Sequence, residues 1–260
     1  MSPFPSTPEG AHALHAAIEG AAFALGAAAY RNERRRAGAP PPLSGKPLWI
    51  LAGCLLGAGL GNRAVAWLEQ PQPLDLTDTW QLILGGRSII GGLLGGLVGT
   101  EVAKRLVGWP ASTGDLFVRP ILLGLAVGRV GCFLAGLHDA THGLPTGLPW
   151  GVDQGDGIHR HPVQVYEIAW AGAAAALLCT TRGRAWAAPV PGLRFRLLLC
   201  AYLAWRLLVD ALKPVPHRWP LGLSGIQWTC IVALALYAPA TWRALRSLRH
   251  DAPEPAVPVP

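Results

Sequence analysis

Seven stretches of this chain run for about 20 mainly apolar residues, the length an α-helix needs to cross a hydrocarbon layer. They cover roughly residues 11–30, 47–68, 81–103, 114–136, 162–181, 193–212 and 221–242. Polar, basic or proline-containing segments separate them. The pattern predicts an all-α polytopic membrane protein with about seven transmembrane helices, a single domain over residues 11–250. The first stretch is the weakest, being alanine-rich and holding His12, His15 and Glu19, and it could instead lie at the interface. The sixth also carries charge. Residues 1–10 and the proline-rich DAPEPAVPVP at 251–260 read as disordered tails.

Loop charges give the orientation, because lysine and arginine collect on the cytoplasmic side. The loops after the first, third, fifth and seventh stretches carry fourteen of them, among them Arg34, Lys46, Lys104, Arg184 and Arg246. The intervening loops carry three, Arg160, Lys213 and Arg218, together with acidic residues such as Asp139, Asp153 and Asp156. The N-terminus is therefore expected outside and the C-terminus in the cytoplasm. Removing any one span would scramble this alternation.

Composition agrees: 51% of residues are hydrophobic and 14% charged, values that suit a membrane protein rather than a soluble one. The net charge of +7 falls on the cytoplasmic rim, so it does not call for nucleic acid. Tryptophans near predicted span ends, such as Trp49, Trp67 and Trp150, fit an aromatic belt. The opening MSPFPSTPEG has no basic segment, so a cleaved signal peptide is not expected. Gly91, Gly95 and Gly99 of the third span recur every four residues, with Gly92 and Gly96 beside them, and predict a groove that another helix enters.

An ionised side chain within a span costs roughly 2.5 kcal/mol or more, so one found there usually has a function. Five arginines lie inside spans. With the predicted orientation Arg63, Arg87, Arg129 and Arg206 fall in the outer half, whereas Arg119 lies near the cytoplasmic end and can snorkel. At the same outer level the fifth span opens with His161, Gln164 and Glu167, and the sixth places Tyr202, Arg206 and Asp210 on one helical face. Arg206–Asp210 and Arg129–Glu167 are plausible ion pairs. Four arginines against two carboxylates still leave positive charge, so an anion is expected there, and arginine forks suit phosphate.

Other chemistries find less support. Ser88 and Ser224 lack the setting of a nucleophilic serine. His138, His142, His159 and His161 share an outer loop with Asp139 but fit no common ligand spacing, and the five cysteines are scattered singly, so no metal and no cofactor are expected. No internal repeat is visible, which disfavours an inverted-repeat transporter.

GRVGCFLAG, followed by LPWGV and RHPVQVYE, resembles the signature region of the prolipoprotein diacylglyceryl transferases of bacterial inner membranes. GGRSIIGGLLGG is similar to that family's glycine-rich third span, and AYLAWRLLVDALKP with GLSGIQW is similar to its last two spans. The likeness runs from about residue 47 onward. It implies transfer of the diacylglyceryl group of phosphatidylglycerol to the lipobox cysteine of a preprolipoprotein, bound through its signal peptide, with release of glycerol phosphate. It also implies a multi-pass protein of the bacterial inner membrane.

By the same resemblance Arg129 holds the head group and Arg206 is the second required arginine. His161, Gln164, Tyr166 and Glu167 form the following motif, and Tyr202 and Asp210 are their neighbours. Arg129, Arg206, His161 and Glu167 are the expected catalytic residues; Arg129, Gly131, Arg87, Gln164, Tyr166, Tyr202 and Asp210 are expected at the substrate. His161 is the leading base, or else positions Glu167. The chain departs from the family pattern at Ile90, where many members have a histidine, and at Cys132, where many have asparagine. Arg87 and the HDATH loop are further departures. A non-catalytic member that binds anionic lipid or a lipidated partner is the alternative reading.

Overall fold

The computed structural model describes residues 4–5, 7–71, 88–139, 141–215 and 217–250. Within them eight α-helices account for most of the chain: α1 Pro8–Arg36, α2 Gly45–Glu69, α3 Ile89–Leu106, α4 Val118–Ala135, α5 Val163–Leu178, α6 Thr181–Ala187, α7 Leu193–Val209 and α8 Gly225–His250. The structure is helical as expected, with one exception among the described residues in the loop before α5, where β1 Val152–Asp153 pairs antiparallel with β2 His159–Arg160. Asp153 shapes this hairpin by accepting the N–H groups of Gly155, Asp156 and Gly157 at 2.8, 3.1 and 3.0 Å. Arg160 then holds both oxygens of Asp156 at 2.7 Å.

Among the described residues three helices are long and apolar enough to cross a membrane, Pro8–Arg36, Gly45–Glu69 and Gly114–His138, and a fourth span arises if the bent pair Val163–Leu178 and Thr181–Ala187 counts as one. The bend is 64°; it follows from a new start, as the Thr180 hydroxyl accepts the Gly183 N–H and caps α6. Helix α1 begins at Pro8, inside the stretch expected to be disordered, because Thr7 caps it and proline suits the first helical position. Phe4 packs edge-on against Phe133. Residues 72–87, which include the start of the expected third span and Arg87, lie outside the described residues, as does the tail 251–260.

Helices pack in the pairs α2 with α3, α1 with α4, α4 with α5 and α7 with α8. The α2–α3 contact explains the glycine spacing: Gly53, Gly57 and Gly61 oppose Gly99, Gly95 and Gly91, and a Cβ on Gly95 would strike the Gly57 carbonyl. Outward sides remain apolar, with Leu56 and Leu60 of α2 at 70% and 74% exposure and Leu236 of α8 at 78%. Leucines so exposed over whole helix faces call for an apolar surround. The core gathers Ile90, Leu122, Leu125, Leu198, Tyr202 and Leu203. At the end of the bundle holding the basic loops, buried Glu33 binds Arg184 through both oxygens at 2.7 and 2.8 Å and joins α1 to α6.

Candidate active site

Three charged residues of the site are carried by helices that pack through apolar neighbours. Arg129 stands two turns from the end of α4, Glu167 in the second turn of α5, Arg206 in the last turn of α7. All three are buried, Glu167 at 0% exposure. A carboxylate with no water must be matched by cations and hydrogen bonds, and here the matching comes from three directions. Arg129 approaches with its fork, Nε 2.7 Å from Oε2 and Nη2 3.2 Å from Oε1. Arg206 donates from Nη1 to Oε1 at 2.8 Å, and the Lys213 ammonium lies 3.6 Å from Oε2.

Arg206 is shared in turn. Its Nη2 donates to Asp210 at 3.1 Å, one helical turn on. The second oxygen of Asp210 accepts the Ser224 hydroxyl at 2.5 Å. Ser224 and Gln227 also cap α8 reciprocally, each side chain accepting the other's backbone N–H at 3.0 Å. The buried network thus starts on α4, crosses α5 and α7, and ends at the first turn of α8. Two guanidiniums, Arg129 and Arg206, and the Lys213 amine face the carboxylates Glu167 and Asp210, with Glu69 of α2 close by. Arg206 Nε has no hydrogen-bond partner among the described residues. A buried pair of arginines with a guanidinium N–H left without a partner can receive an anion.

The other expected residues fall around this centre. Tyr202 is buried one turn before Arg206, its ring 5.2 Å from that of Trp170. Gln164, also buried, donates to the Thr141 hydroxyl at 3.3 Å and so ties α5 to the outer loop. Gly131 brings α4 against His15 and Ile18 of α1; a Cβ there would lie 3.2 Å from Ile18. His161 and Tyr166 form a separate pair: His161 Nδ1 lies 3.3 Å from the Tyr166 hydroxyl, which accepts the Trp150 indole N–H at 2.8 Å. No hydrogen bond or ion pair joins either to the arginines among the described residues. The His-Pro step sets this, since Pro162 is the cap of α5 and leaves His161 in the loop. Arg63 is half-buried on α2.

Two features escaped sequence reasoning. Lys213 was counted as a loop charge, yet the turn Asp210–Leu212 folds it back onto Glu167; its position three residues after Asp210 was the available signal. Second, His15, Cys132 and Asp139 come together near the N-terminal end of α1 and the C-terminal end of α4. Outside the helices, Arg160 and the backbone N–H of Ile158 hold the Asp156 carboxyl down at about 2.

Comparison with known proteins adds an independent line. The family model described as prolipoprotein diacylglyceryl transferase matches residues 13–243. A phosphatidylglycerol–prolipoprotein diacylglyceryl transferase of Bordetella parapertussis is 34% identical over 195 residues, 71% of this chain and 69% of that protein. Proteins of the same name from Cupriavidus metallidurans and Methylocella silvestris are 37% and 32% identical, covering 74% and 79% of this chain and 70% and 75% of theirs.

Proposed function

From the premise that the chain belongs to the prolipoprotein diacylglyceryl transferase family, we propose that it moves the diacylglyceryl group of phosphatidylglycerol onto the lipobox cysteine of a preprolipoprotein in the bacterial inner membrane. It is a transferase of lipoprotein biosynthesis. The observation that carries this reading to the residues is the buried network in which Arg129 and Arg206 converge on Glu167 and Arg206 keeps an unpartnered N–H. The phosphate of the lipid head group is the anion that completes it.

The incoming thiolate attacks the glycerol carbon that bears the phosphate. The S–C bond forms as the C–O bond to phosphate breaks, and negative charge grows on the departing phosphoryl oxygens. Arg129 and Arg206 stand ready to stabilise that charge; donors fixed before the reaction cost no reorganisation during it. Glu167 is their anchor: it holds both guanidiniums in place and, as one carboxylate, matches only one of their two charges. Leu125, Trp170, Leu198 and Tyr202 pack together as an apolar seam beside this network. His161, at the loop edge with Tyr166, is the proposed acceptor of the thiol proton, since imidazole titrates near neutrality.

The expected topology has seven spans, with the N-terminus and the arginine network on the periplasmic side. The fourteen-to-three distribution of basic loop residues supports it. Function is tested by complementation: expression of this chain should restore growth and lipoprotein modification in a strain depleted of its own diacylglyceryl transferase. Failure to rescue, with the chain present in the membrane and binding phosphatidylglycerol, would favour the non-catalytic alternative, for which Ile90 is the specific observation.

A further inference from the structure

Beside the arginine network a second cluster faces the outer loop. Cys132 Sγ lies 3.7 Å from His15 Nε2, and His15 Nδ1 lies 3.9 Å from Asp139 Oδ2. One donor atom from each of the three residues falls within 4.8 Å of the others. Zinc bonds of about 2.3 Å to sulfur and 2.0–2.1 Å to nitrogen, at a tetrahedral angle, put the two ligand atoms about 3.6 Å apart. The Cys132–His15 Nε2 spacing nearly meets that, whereas Asp139 approaches the other ring nitrogen, Nδ1, so a shared ion needs the imidazole or the Asp139 carboxylate to turn until one nitrogen faces both. The Cys132 side chain is buried, while His15 and Asp139 keep 24% and 14% of their side-chain surface, so the cluster opens on one side.

We propose that His15, Cys132 and Asp139 bind a zinc ion whose fourth position takes the thiol of the incoming lipobox cysteine. A thiolate, an imidazole and a carboxylate suit zinc, and three protein ligands with one open position are the arrangement of catalytic rather than structural sites. The proposal deepens the transferase reading and depends on it for the identity of the thiol. Its chemical need is plain: a free thiol is mostly protonated at neutral pH, and metal coordination deprotonates it. Ile90, buried in the apolar core, offers no base from that side of the site.

Placement favours the same role. Arg129 contacts both centres, its Nη1 3.7 Å from Cys132 Sγ while its Nε and Nη2 hold Glu167. The metal thus lies one side chain from the proposed phosphate site, where nucleophile and leaving group must meet. In the step itself the bound thiol gives its proton to His161. Its sulfur forms the bond to the glycerol carbon, and the C–O electron pair departs with glycerol phosphate. The thioether product is a weaker ligand than the thiolate and can leave.

The test uses the full-length protein in detergent, loaded with zinc or cobalt and freed of excess metal. Expected are one tightly held metal per chain and a thiolate-to-cobalt absorption band that is absent from Cys132→Ser and reduced in His15→Ala and Asp139→Asn. Cys200→Ser, whose sulfur contacts Thr241 on α8, should keep the band. A cysteine-containing lipobox peptide should strengthen it, and its Cys→Ser version should not. Thermal unfolding identifies variants that lose metal merely by misfolding; if Cys132→Ser unfolds, Asp139→Asn decides. Substoichiometric metal, or a band indifferent to Cys132 and to the peptide, would overturn the proposal. Full diacylglyceryl transfer by metal-free protein would overturn it too while leaving the transferase reading intact. Metal binding without any transfer to the peptide would overturn both the thiol role and that reading.

Discussion

At the scale of single residues the site was legible wherever a charge interrupts an apolar run. Arg129, Glu167, Arg206 and Asp210 could be paired in advance because the cost of an isolated charge in lipid leaves few alternatives, and the structure joins those pairs. Lys213 was not legible, because hydropathy marks where a helix ends but not that the chain turns back. The His15–Cys132–Asp139 cluster was hidden for another reason: His15 and Cys132 are 117 positions apart, so no local spacing reveals them. His161 lies just before the Pro162 cap of α5, beside Tyr166. From its loop position follows a selective effect. His161→Ala should lower diacylglyceryl transfer by about 10²–10⁴-fold, the range of a lost acid–base catalyst, with little change in phosphatidylglycerol affinity. Parallel assays of transfer and lipid binding check this, and equal losses in both would make His161 structural.

At the scale of elements, the four-residue glycine spacing foretold a close helix contact but not its partner. The partner is legible only in retrospect, since Gly53, Gly57 and Gly61 of α2 have the same spacing but lie in a more mixed sequence. Helix ends were read less well than helix existence. The break after Leu178 and the early start at Pro8 depend on the caps Thr180 and Thr7, which hydropathy ignores. The α2–α3 contact yields a sharp contrast. Gly95→Leu forces the two backbones apart and should cost at least about 1–3 kcal/mol, the range for overpacked cores. Gly92→Leu, which meets no atom within 4 Å, should be tolerated. Detergent thermal melts of the two variants check this, and equal stability would mean that the contact is not tight.

For the molecule as a whole, class and family could be read from hydropathy and a few motifs, whereas the count of spans rests on loop charges. Three of the helices meet the length and hydropathy of a span by themselves. The remainder are shortened or charged by the very residues that build the site and the basic rim: α7 carries Arg206, and α3 ends with Glu101, Lys104 and Arg105. The seven-span reading predicts that a reporter fused after His250 is cytoplasmic and one inserted near Gly147 periplasmic. Both reporters on one side would refute it.

The central claim is that Arg129 serves a phosphate rather than only Glu167. Truncating one partner of an isolated buried pair strands a charge and costs about 3–5 kcal/mol. Glu167, however, keeps Arg206 and Lys213 when Arg129 is removed, so the loss should be much smaller. Arg129→Lys retains the charge but not the fork and should already weaken binding. The decisive measurement is therefore phosphatidylglycerol binding alongside thermal stability in detergent for Arg129→Ala, Glu167→Gln and the double variant. The account predicts a folded Arg129→Ala protein that no longer binds phosphatidylglycerol, with binding still absent in the double variant. An unstable Arg129→Ala protein, rescued by Glu167→Gln with lipid binding intact, would contradict it and leave Arg129 as half of an internal ion pair.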